Sequence, residues 1–378
     1  MNLDLALSEN DKMLKSVALD FLKRDAPKGV IQTLQESDTG YTPELWQKVV
    51  EMGWLGMVIP EGYGGFGSGL TSAGVLFEAL GSGPLPGPYY ASGVLSALII
   101  QAAANEAQKQ QILTGIVEGT RILTLALTEP EFSLEPESIR TTAMPQGGYF
   151  LLNGVKLFTH EALAATDLIV VARTGQGTVG GEGLSLFLVD RQSAGVKVRR
   201  LGGYLAGRTF EVRLEDVKVP LGNLLGGIGE GWRPLQQGIT QAIPVLCAYQ
   251  AGASQAVIDQ TLEYSRIRKQ FGQAIGRFQR VQDWIIEMVN LADAARLMTY
   301  EALWKLDTGR DARESVHLAK AAASEAYFEI VTMAHRVFSG ISYSSEHPVS
   351  FHTRASRALY HYLGDPAYHR QQIAKLLT

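Results

Sequence analysis

Cysteine is nearly absent from this sequence, and this limits the disulfides and the cellular compartment that can be expected. A single cysteine among 378 residues excludes an intramolecular disulfide and fits a reducing compartment. The residue, Cys247, stands in an apolar run, so we expect a small buried side chain and not a nucleophile. We assign no metal ligand.

Long apolar runs and an excess of basic charge are also missing. The apolar stretch LSALIIQAAA is too short to span a bilayer, so no membrane association is predicted. The start, MNLDLALSENDKMLK, lacks a basic segment followed by an apolar core, which argues against a secretory signal and favours a cytoplasmic protein. With 34 basic and 38 acidic residues, charge gives no case for nucleic-acid binding.

What is present describes a globular protein of two or three subdomains, with 46% hydrophobic and 19% charged residues. Helical spacing prevails up to about residue 118, with expected helix starts at Ser8 and at Thr42-Pro43. From Ile122, runs such as YFLLNGVKLFT alternate apolar and polar residues, and helical spacing returns at Trp232. The pattern predicts an α+β protein with an N-terminal helical domain (1–118), a middle antiparallel β domain (119–225) and a C-terminal helical domain (226–378).

The stretch YSRIRKQFGQAIGRFQRVQDWIIEM, residues 264–288, is the most informative. Its apolar residues recur every three or four positions, which predicts one buried helical face. Two glycines predict a turn, with a second helix beginning near Phe278. The basic residues before that turn could bind a pyrophosphate through charge-assisted hydrogen bonds. Three such charges are more commonly the solvated face of an amphipathic helix. The apolar residues are Ile267, Phe271, Ile275, Phe278, Val281 and Ile285, and the basic ones are Arg266, Arg268 and Lys269.

As a whole, Y-S-x-x-R-x-Q-F-G-x-x-I-x-x-F-Q-x-V-Q resembles the signature of the acyl-CoA dehydrogenase family. These flavoproteins oxidise an acyl-CoA thioester between its α and β carbons. The resemblance implies an FAD cofactor, a C-terminal four-helix bundle and an electron-transfer flavoprotein as acceptor. It also implies a homotetramer, or a heterotetramer with a related subunit, in which Arg268 and Gln270 reach the ADP half of FAD in a neighbouring subunit. The other cofactor contacts implied in this segment are Phe271, Phe278 and Gln282.

Two short motifs in the β region extend the resemblance. Leu127-Thr128-Glu129-Pro130 resembles the family element that hydrogen-bonds the flavin ring, which implies contacts by Leu127 and Thr128. Lys156-Leu157-Phe158-Thr159 resembles the element on the other side of the ring, with Phe158 against the ring and Thr159 as the candidate donor to the flavin N5 region. Each motif taken alone is more simply explained as a strand-end cap or a core aromatic. Their order and spacing favour a flavin site.

The chain departs from the family pattern at several positions. Two residues after T-E-P the family usually has Gly-Ser-Asp, whereas this sequence reads Ser133-Leu134-Glu135 there. Leu134 thus stands where the family has a serine that commonly touches the cofactor or substrate, and Ser133 is a candidate substrate contact. The glycine-rich loop that receives the adenosine end of FAD reads RVFSGIS here, from Arg336. Arg336 and Gly340 are the implied contacts, and the two serines, Ser339 and Ser342, are expected to narrow the backbone options.

The usual catalytic base is missing. Oxidation needs a carboxylate to remove the α proton, and the two positions at which family branches carry that glutamate read Leu363 and Ala242. Tyr249, a turn or two after Ala242, and Tyr89 are candidate substrate contacts, although core aromatics are the commoner explanation for the latter. Glu161 is a weak candidate for the base. It is more simply a structural carboxylate, as are the other acids considered, Glu78 and Glu346.

Three functions remain open. A flavin-dependent acyl-CoA dehydrogenase with a relocated base is favoured, because the flavin motifs of the β region are present. A catalytically silent or weak subunit that completes the FAD site of an active partner is the second, since YLGDPAYHR resembles a subgroup with paired, non-identical subunits. A flavin oxidase or monooxygenase on the same fold has no distinctive residue in its favour.

Overall fold

The computed structural model describes residues 7–175, 180–203 and 207–377. The chain divides into two compact units, each described by itself. The helical unit comprises residues 1–35, 69–85 and 243–378, and the β unit comprises residues 36–68 and 86–242. Within the described ranges, no helix is long and apolar enough to cross a membrane.

The first part of the chain is helical. The first helix follows Ser8, whose Oγ accepts a hydrogen bond from the backbone N–H of Asp11, and a later one follows Thr42 with Pro43 in its first turn. Both predicted helix starts are confirmed. The helices are α1 (Glu9–Asp25), α2 (Lys28–Glu36), α3 (Pro43–Glu51), α4 (Leu70–Gly81), α5 (Ala97–Ala103), which continues a π-helical segment (Ala91–Ser96), and α6 (Glu106–Val117).

The β unit is built on β1 (Leu123–Ala126), β2 (Thr142–Gln146), β3 (Tyr149–His160), β4 (Asp167–Arg173), β5 (Leu184–Asp190), β6 (Val196–Arg200), β7 (Thr209–Pro220) and β8 (Leu224–Leu225). In the described residues these form one sheet of order β6-β7-β3-β2-β4-β5-β8, with β1 beside β4. Neighbours are antiparallel, except that β1 runs parallel to β4 and β2 makes one parallel pair with it. The buried faces of β3 and β7 supply core residues such as Phe150, Leu152 and Val212.

Helices return at the C-terminal end of the chain. In the helical unit α9 (Arg313–Phe338) packs against α8 (Gln279–Asp307), α10 (Pro348–His361) and α11 (Pro366–Leu376). Tyr264 of α7 (Trp232–Ile267) lies 4.7 Å from Phe338 of α9 between ring centroids. The predicted α+β fold class is confirmed, whereas the domain boundaries stay predictions. The elements are α7 (Trp232–Ile267), β9 (Lys269–Gln270), β10 (Gln273–Ala274), α8 (Gln279–Asp307), α9 (Arg313–Phe338), α10 (Pro348–His361) and α11 (Pro366–Leu376).

One packing prediction from the signature segment is wrong. Ile267 is 68% exposed and Phe271 is 92% exposed, so they do not belong to a buried helical face of this chain. The reason is local: α7 ends at Ile267, and the chain forms the β9–β10 hairpin with Phe271 at a φ of 51° in its turn. The second helix, α8, begins next to Phe278 as predicted.

The prediction that Cys247 is a small buried side chain is confirmed. It is fully buried within α7, and burial raises the pKa of its thiol to about 12. A thiol of that kind is not a nucleophile at neutral pH.

Candidate functional site

The end of β3 departs from regular strand pairing. Lys156 pairs with Val212 and Thr159 with Phe210, so β3 has one residue more than β7 between these pairs. Such a β-bulge bends a strand and redirects its side chains. Phe158 lies in the bulge with a φ of 54° and is 42% exposed. The bulge therefore presents an aromatic ring on the surface of the β unit.

A second exposed ring lies beside the first. Phe132, in the loop after β1, makes an edge contact with Phe158 at a centroid distance of 5.2 Å and is 55% exposed. The same loop is joined to β3 because the Leu157 N–H donates to the Thr128 carbonyl at 2.8 Å. The two short motifs of the β region are thus neighbours, and half-buried Thr128 lies at their junction.

Thr159 has an unused hydroxyl. Its side chain is 2% exposed, and no hydrogen-bond partner for its Oγ1 lies among the described residues. A buried hydroxyl in this state costs free energy until an acceptor is supplied. Because the hydroxyl is buried, the groups around it must shift before a ligand reaches it. A hydroxyl that can still donate, one residue after the exposed Phe158 ring, fits an FAD ring system.

The two motifs also share a buried ion pair. Lys156 Nζ lies 2.7 Å from Glu129 Oε1, with side-chain exposures of 0% and 2%, and it donates to the Leu127 carbonyl at 3.2 Å. Burial lowers the pKa of Lys156 to about 8, although Glu129 opposes the shift. Burial raises the pKa of Glu129, but Lys156 and hydrogen bonds from backbone amides outweigh it, and the net pKa is lowered.

The candidate bases are held in structural contacts. Arg208 donates to both oxygens of Glu161, from Nε at 3.0 Å and from Nη2 at 2.6 Å, and the pair is largely buried. Both oxygens of Glu161 are thus occupied by the guanidinium, which argues against Glu161 as the proton acceptor. In the helical unit Glu78 is buried beside Lys15 Nζ at 2.7 Å, and Glu346 is exposed.

The candidate substrate contacts have local roles in the structure. Ser133 Oγ accepts a hydrogen bond from the Glu135 N–H at 3.1 Å and thus orders its own turn. Tyr89 is 5% exposed and stacks on Trp46 at 5.7 Å, so it is a core aromatic. Tyr249 is half-buried in α7. Contacts of these three side chains with substrate stay predictions.

Several cofactor candidates of the helical unit lie in the β9–β10 hairpin or close to it in the sequence. Arg268 and Gln270 are exposed, and Phe271 lies 6.0 Å from Phe278 in an edge contact. Gln282 donates from Nε2 to the Gly276 carbonyl at 2.9 Å. Exposure leaves these side chains accessible to a ligand or a second copy, and their cofactor role stays a prediction.

The loop after α9 keeps a backbone that glycine favours. Ser339 has φ 59° and ψ −145°, a conformation that glycine adopts freely and serine only at a cost, and the expectation that the serines narrow the backbone options stays a prediction. Ser342 is fully buried, and its Oγ contacts His335 Nδ1 at 2.7 Å and donates to the Ser339 carbonyl at 2.8 Å. Arg336 and Gly340 are exposed, and their contact with FAD stays a prediction.

Neither usual base position holds an acid. Leu363, 7% exposed, has a φ of 60°, and its carbonyl accepts a hydrogen bond from His369 Nε2 at 3.0 Å. Because a carbonyl only accepts, His369 carries its proton on Nε2, and its Nδ1 accepts from His317 Nδ1 at 2.8 Å. Ala242 is fully buried, and its carbonyl accepts from the Tyr90 hydroxyl at 3.0 Å.

Sequence reasoning missed the Glu129–Lys156 pair and the two paired histidines. The two-residue period of β3 places Lys156 on the same face as Phe150 and Leu152, which was a usable signal for burial. The histidines stand 52 residues apart and follow no pattern that marks them as neighbours.

Comparison with known proteins identifies the fold. Three family models match: the acyl-CoA dehydrogenase N-terminal domain at residues 8–120, the middle domain at 124–217 and the C-terminal domain at 229–378. Glutaryl-CoA dehydrogenase of Desulfococcus multivorans is 32% identical, over 92% of this chain and 91% of its own length. The caffeyl-CoA reductase–Etf complex subunit CarC of Acetobacterium woodii is 29% identical, over 98% of each chain.

Solved structures agree with these relatives. Butyryl-CoA dehydrogenase from Megasphaera elsdenii superposes with a TM-score of 0.91 at 26% identity, covering 99% of this chain and 100% of that one. Members of the family are FAD-dependent oxidoreductases, which fits the flavin motifs of the β unit. The chain therefore belongs to the acyl-CoA dehydrogenase family.

Proposed function

We propose that this chain binds FAD and oxidises an acyl-CoA thioester between its α and β carbons. The observation that carries the proposal is the bulge of β3, which exposes the Phe158 ring one residue before Thr159, whose buried hydroxyl has no hydrogen-bond partner among the described residues. Relatives named glutaryl-CoA dehydrogenase and short-chain acyl-CoA dehydrogenase support an acyl-CoA substrate. When bound, FAD supplies the acceptor for the hydride that leaves the β carbon.

The chain's own residues orient the ring and donate hydrogen bonds to it. Phe158 offers an apolar face to the ring, and Thr159 offers an O–H donor. Thr128, which is half-buried, lies where the two motifs meet. Donors placed where charge develops are the largest aid that a protein gives to such reactions. On the C-terminal side, exposed Arg268 and Gln270 are proposed to reach the FAD of a second copy.

The alternative is a weak or silent subunit that completes the FAD site of an active partner. The observation in its favour is the state of the candidate base positions: Leu363 and Ala242 cannot accept a proton, and Glu161 is bound by Arg208. An electron-transfer flavoprotein is the proposed acceptor, supported by a relative named as a subunit of an Etf complex.

One experiment separates these functions. The chain is purified alone, and its visible spectrum is recorded without oxygen before and after addition of an acyl-CoA. Straight-chain butyryl-, octanoyl- and palmitoyl-CoA are expected to react slowly, so a branched and a ring-bearing acyl-CoA, which a base elsewhere in the pocket could suit, are included. Bleaching of a flavin band within a catalytic time supports the dehydrogenase. A stable flavin band that bleaches only with a related subunit present supports the silent subunit. A chain that takes up no FAD, alone or with a related subunit, contradicts both.

Arg268→Ala is expected to weaken FAD retention without unfolding the protein. A charged contact to a pyrophosphate is worth about 1.5–3 kcal/mol, which corresponds to roughly 10–150-fold in affinity. Equilibrium dialysis of FAD measures the change. Arg277→Ala, an exposed arginine nearby in the sequence, is the matched control and should leave affinity unchanged. Equal affinities of the two variants would contradict the role of Arg268.

We also expect a tetramer, or a dimer of dimers. Exposed apolar side chains of the helical unit need a covering surface, and the symmetric solution is another copy of the chain or a related subunit. Light scattering at micromolar concentration measures the mass, and a monomer that keeps its full flavin would rule this arrangement out. These side chains are Ile267, Phe271, Ile286, Leu297 and Ile341.

A further inference from the structure

We infer that the buried Glu129–Lys156 pair is a positioning device, which sets the distance and direction of the two segments that meet the flavin ring. The inference deepens the proposed function, because it assigns a role to residues behind the same site. Neither side chain is accessible to a ligand, so both act through the residues they hold: Thr128 on one segment and Phe158 on the other.

The carboxylate of Glu129 is shared by three segments of the β unit. Oε1 lies 2.7 Å from Lys156 Nζ and accepts from the Thr141 N–H at 3.0 Å, while Oε2 accepts from the Arg140 N–H at 2.6 Å. The loop after β1, the approach to β2 and the middle of β3 are therefore tied to one carboxylate. Every contact to it is charge-assisted, and such bonds are about twice as strong as neutral ones.

The ammonium of Lys156 completes the link to the loop after β1. It donates to the Leu127 carbonyl at 3.2 Å, one residue before Thr128. On the other side, the Leu157 N–H donates to the Thr128 carbonyl at 2.8 Å. The bulge that exposes Phe158 begins directly after Lys156, so the anchored residue is the last regular one before the chain turns outward.

Stability alone does not explain this pair. Apolar side chains of similar volume usually replace a buried ion pair without loss of stability, and often with a gain, because taking both charges out of water is costly. Apolar side chains have no directional bonds, however, and would leave the three segments free to shift by fractions of an ångström. A ring held by hydrogen bonds and stacking is sensitive to shifts of that size.

The test removes both charges together. The double variant Glu129→Gln with Lys156→Met keeps the side-chain volumes and leaves no single buried charge. The matched control is Arg121→Met with Asp167→Asn, an ion pair of the same unit that lies at the other end of β1, with Arg121 Nη2 3.0 Å from Asp167 Oδ1. For each protein four quantities are measured: the FAD dissociation constant of the apoprotein, the visible spectrum of the bound flavin, its midpoint potential and the melting temperature.

A positioning role predicts a specific combination of results. The Glu129/Lys156 double variant should bind FAD roughly 2–13-fold more weakly and with a shifted flavin band and potential, since about one hydrogen bond to the ring is lost. Its melting temperature separates the two roles: a lower melting temperature than that of the control variant, with FAD affinity, spectrum and potential unchanged, would show a merely structural pair. The inference is overturned if FAD affinity, spectrum and potential match those of the control.

If the double variant does not fold, the single variant Lys156→Met, which leaves the Glu129 carboxylate its hydrogen bonds from the Arg140 and Thr141 N–H groups, is judged by the same criterion. None of the readouts requires turnover of an acyl-CoA. A wild-type chain that binds FAD but is not reduced by any acyl-CoA therefore contradicts the proposed function and leaves this inference to be decided by the variants.

Discussion

Leu363→Glu should raise the rate of flavin reduction by a simple straight-chain acyl-CoA by roughly 10²–10⁴-fold, the usual contribution of a general base. Without a carboxylate near the α carbon, proton removal and hydride transfer cannot proceed together, so the unmodified chain should react slowly. The backbone is already arranged for the new side chain. Leu363 has a φ of 60°, and its carbonyl is fixed by His369 Nε2 at 3.0 Å, so glutamate enters with no added backbone strain.

Rapid-mixing spectroscopy without oxygen measures this rate with butyryl-, octanoyl- and palmitoyl-CoA. Leu363→Gln is the control, since its side chain has the size of glutamate but no basic oxygen. Rapid bleaching by the unmodified chain would refute the prediction and require another base. Slow bleaching that glutamate does not accelerate would instead favour a branched or ring-bearing acyl-CoA, or a required partner subunit.

The second large effect is a loss of unfolding free energy at acidic pH. His352 and His369 are 1% and 0% exposed, and burial lowers the pKa of each to about 3 from an ordinary value of 6.5. Between these values the unfolded chain binds more protons than the folded one, so stability rises with pH. The contribution is complete above about pH 6.5 and is lost progressively as pH falls towards 3. From about pH 7.5 to pH 5, each histidine should cost about 2 kcal/mol of unfolding free energy.

Urea unfolding at the two pH values measures the loss, and His352→Gln isolates one histidine. Glutamine can still hydrogen-bond the Tyr327 hydroxyl, which lies 2.9 Å from His352 Nδ1. The variant should lose about 2 kcal/mol less than the unmodified chain on acidification. An identical loss in both proteins would show that His352 is not among the groups that bind protons on unfolding.

The sequence predicted the fold well because hydrophobic spacing and helix caps act locally. The Ser8 cap and the period-two runs of β3 need no knowledge of distant residues. Burial in the signature segment was mispredicted for a physical reason: spacing shows that Ile267 and Phe271 need cover, but not whether this chain or another supplies it.

The candidate site was only partly predictable. Motif order brought Thr128 and Phe158 to neighbouring segments, as the structure also has them. The role of Lys156 was missed because a lysine is normally a surface residue, and only its partner Glu129 makes burial tolerable. The contact between His317 and His369 depends on the packing of α9 against α11, which no local pattern encodes.

Ser339 is a position at which a substitution can raise the stability of the protein. Its backbone, at φ 59° and ψ −145°, is one that serine occupies at a cost of about 1–3 kcal/mol and glycine occupies freely. Glycine at this position lowers the free energy of unfolding by roughly 0.5–1 kcal/mol, because the unfolded chain gains conformational freedom. The difference favours glycine, so thermal tolerance can be raised at an exposed loop without disturbing any residue of the core.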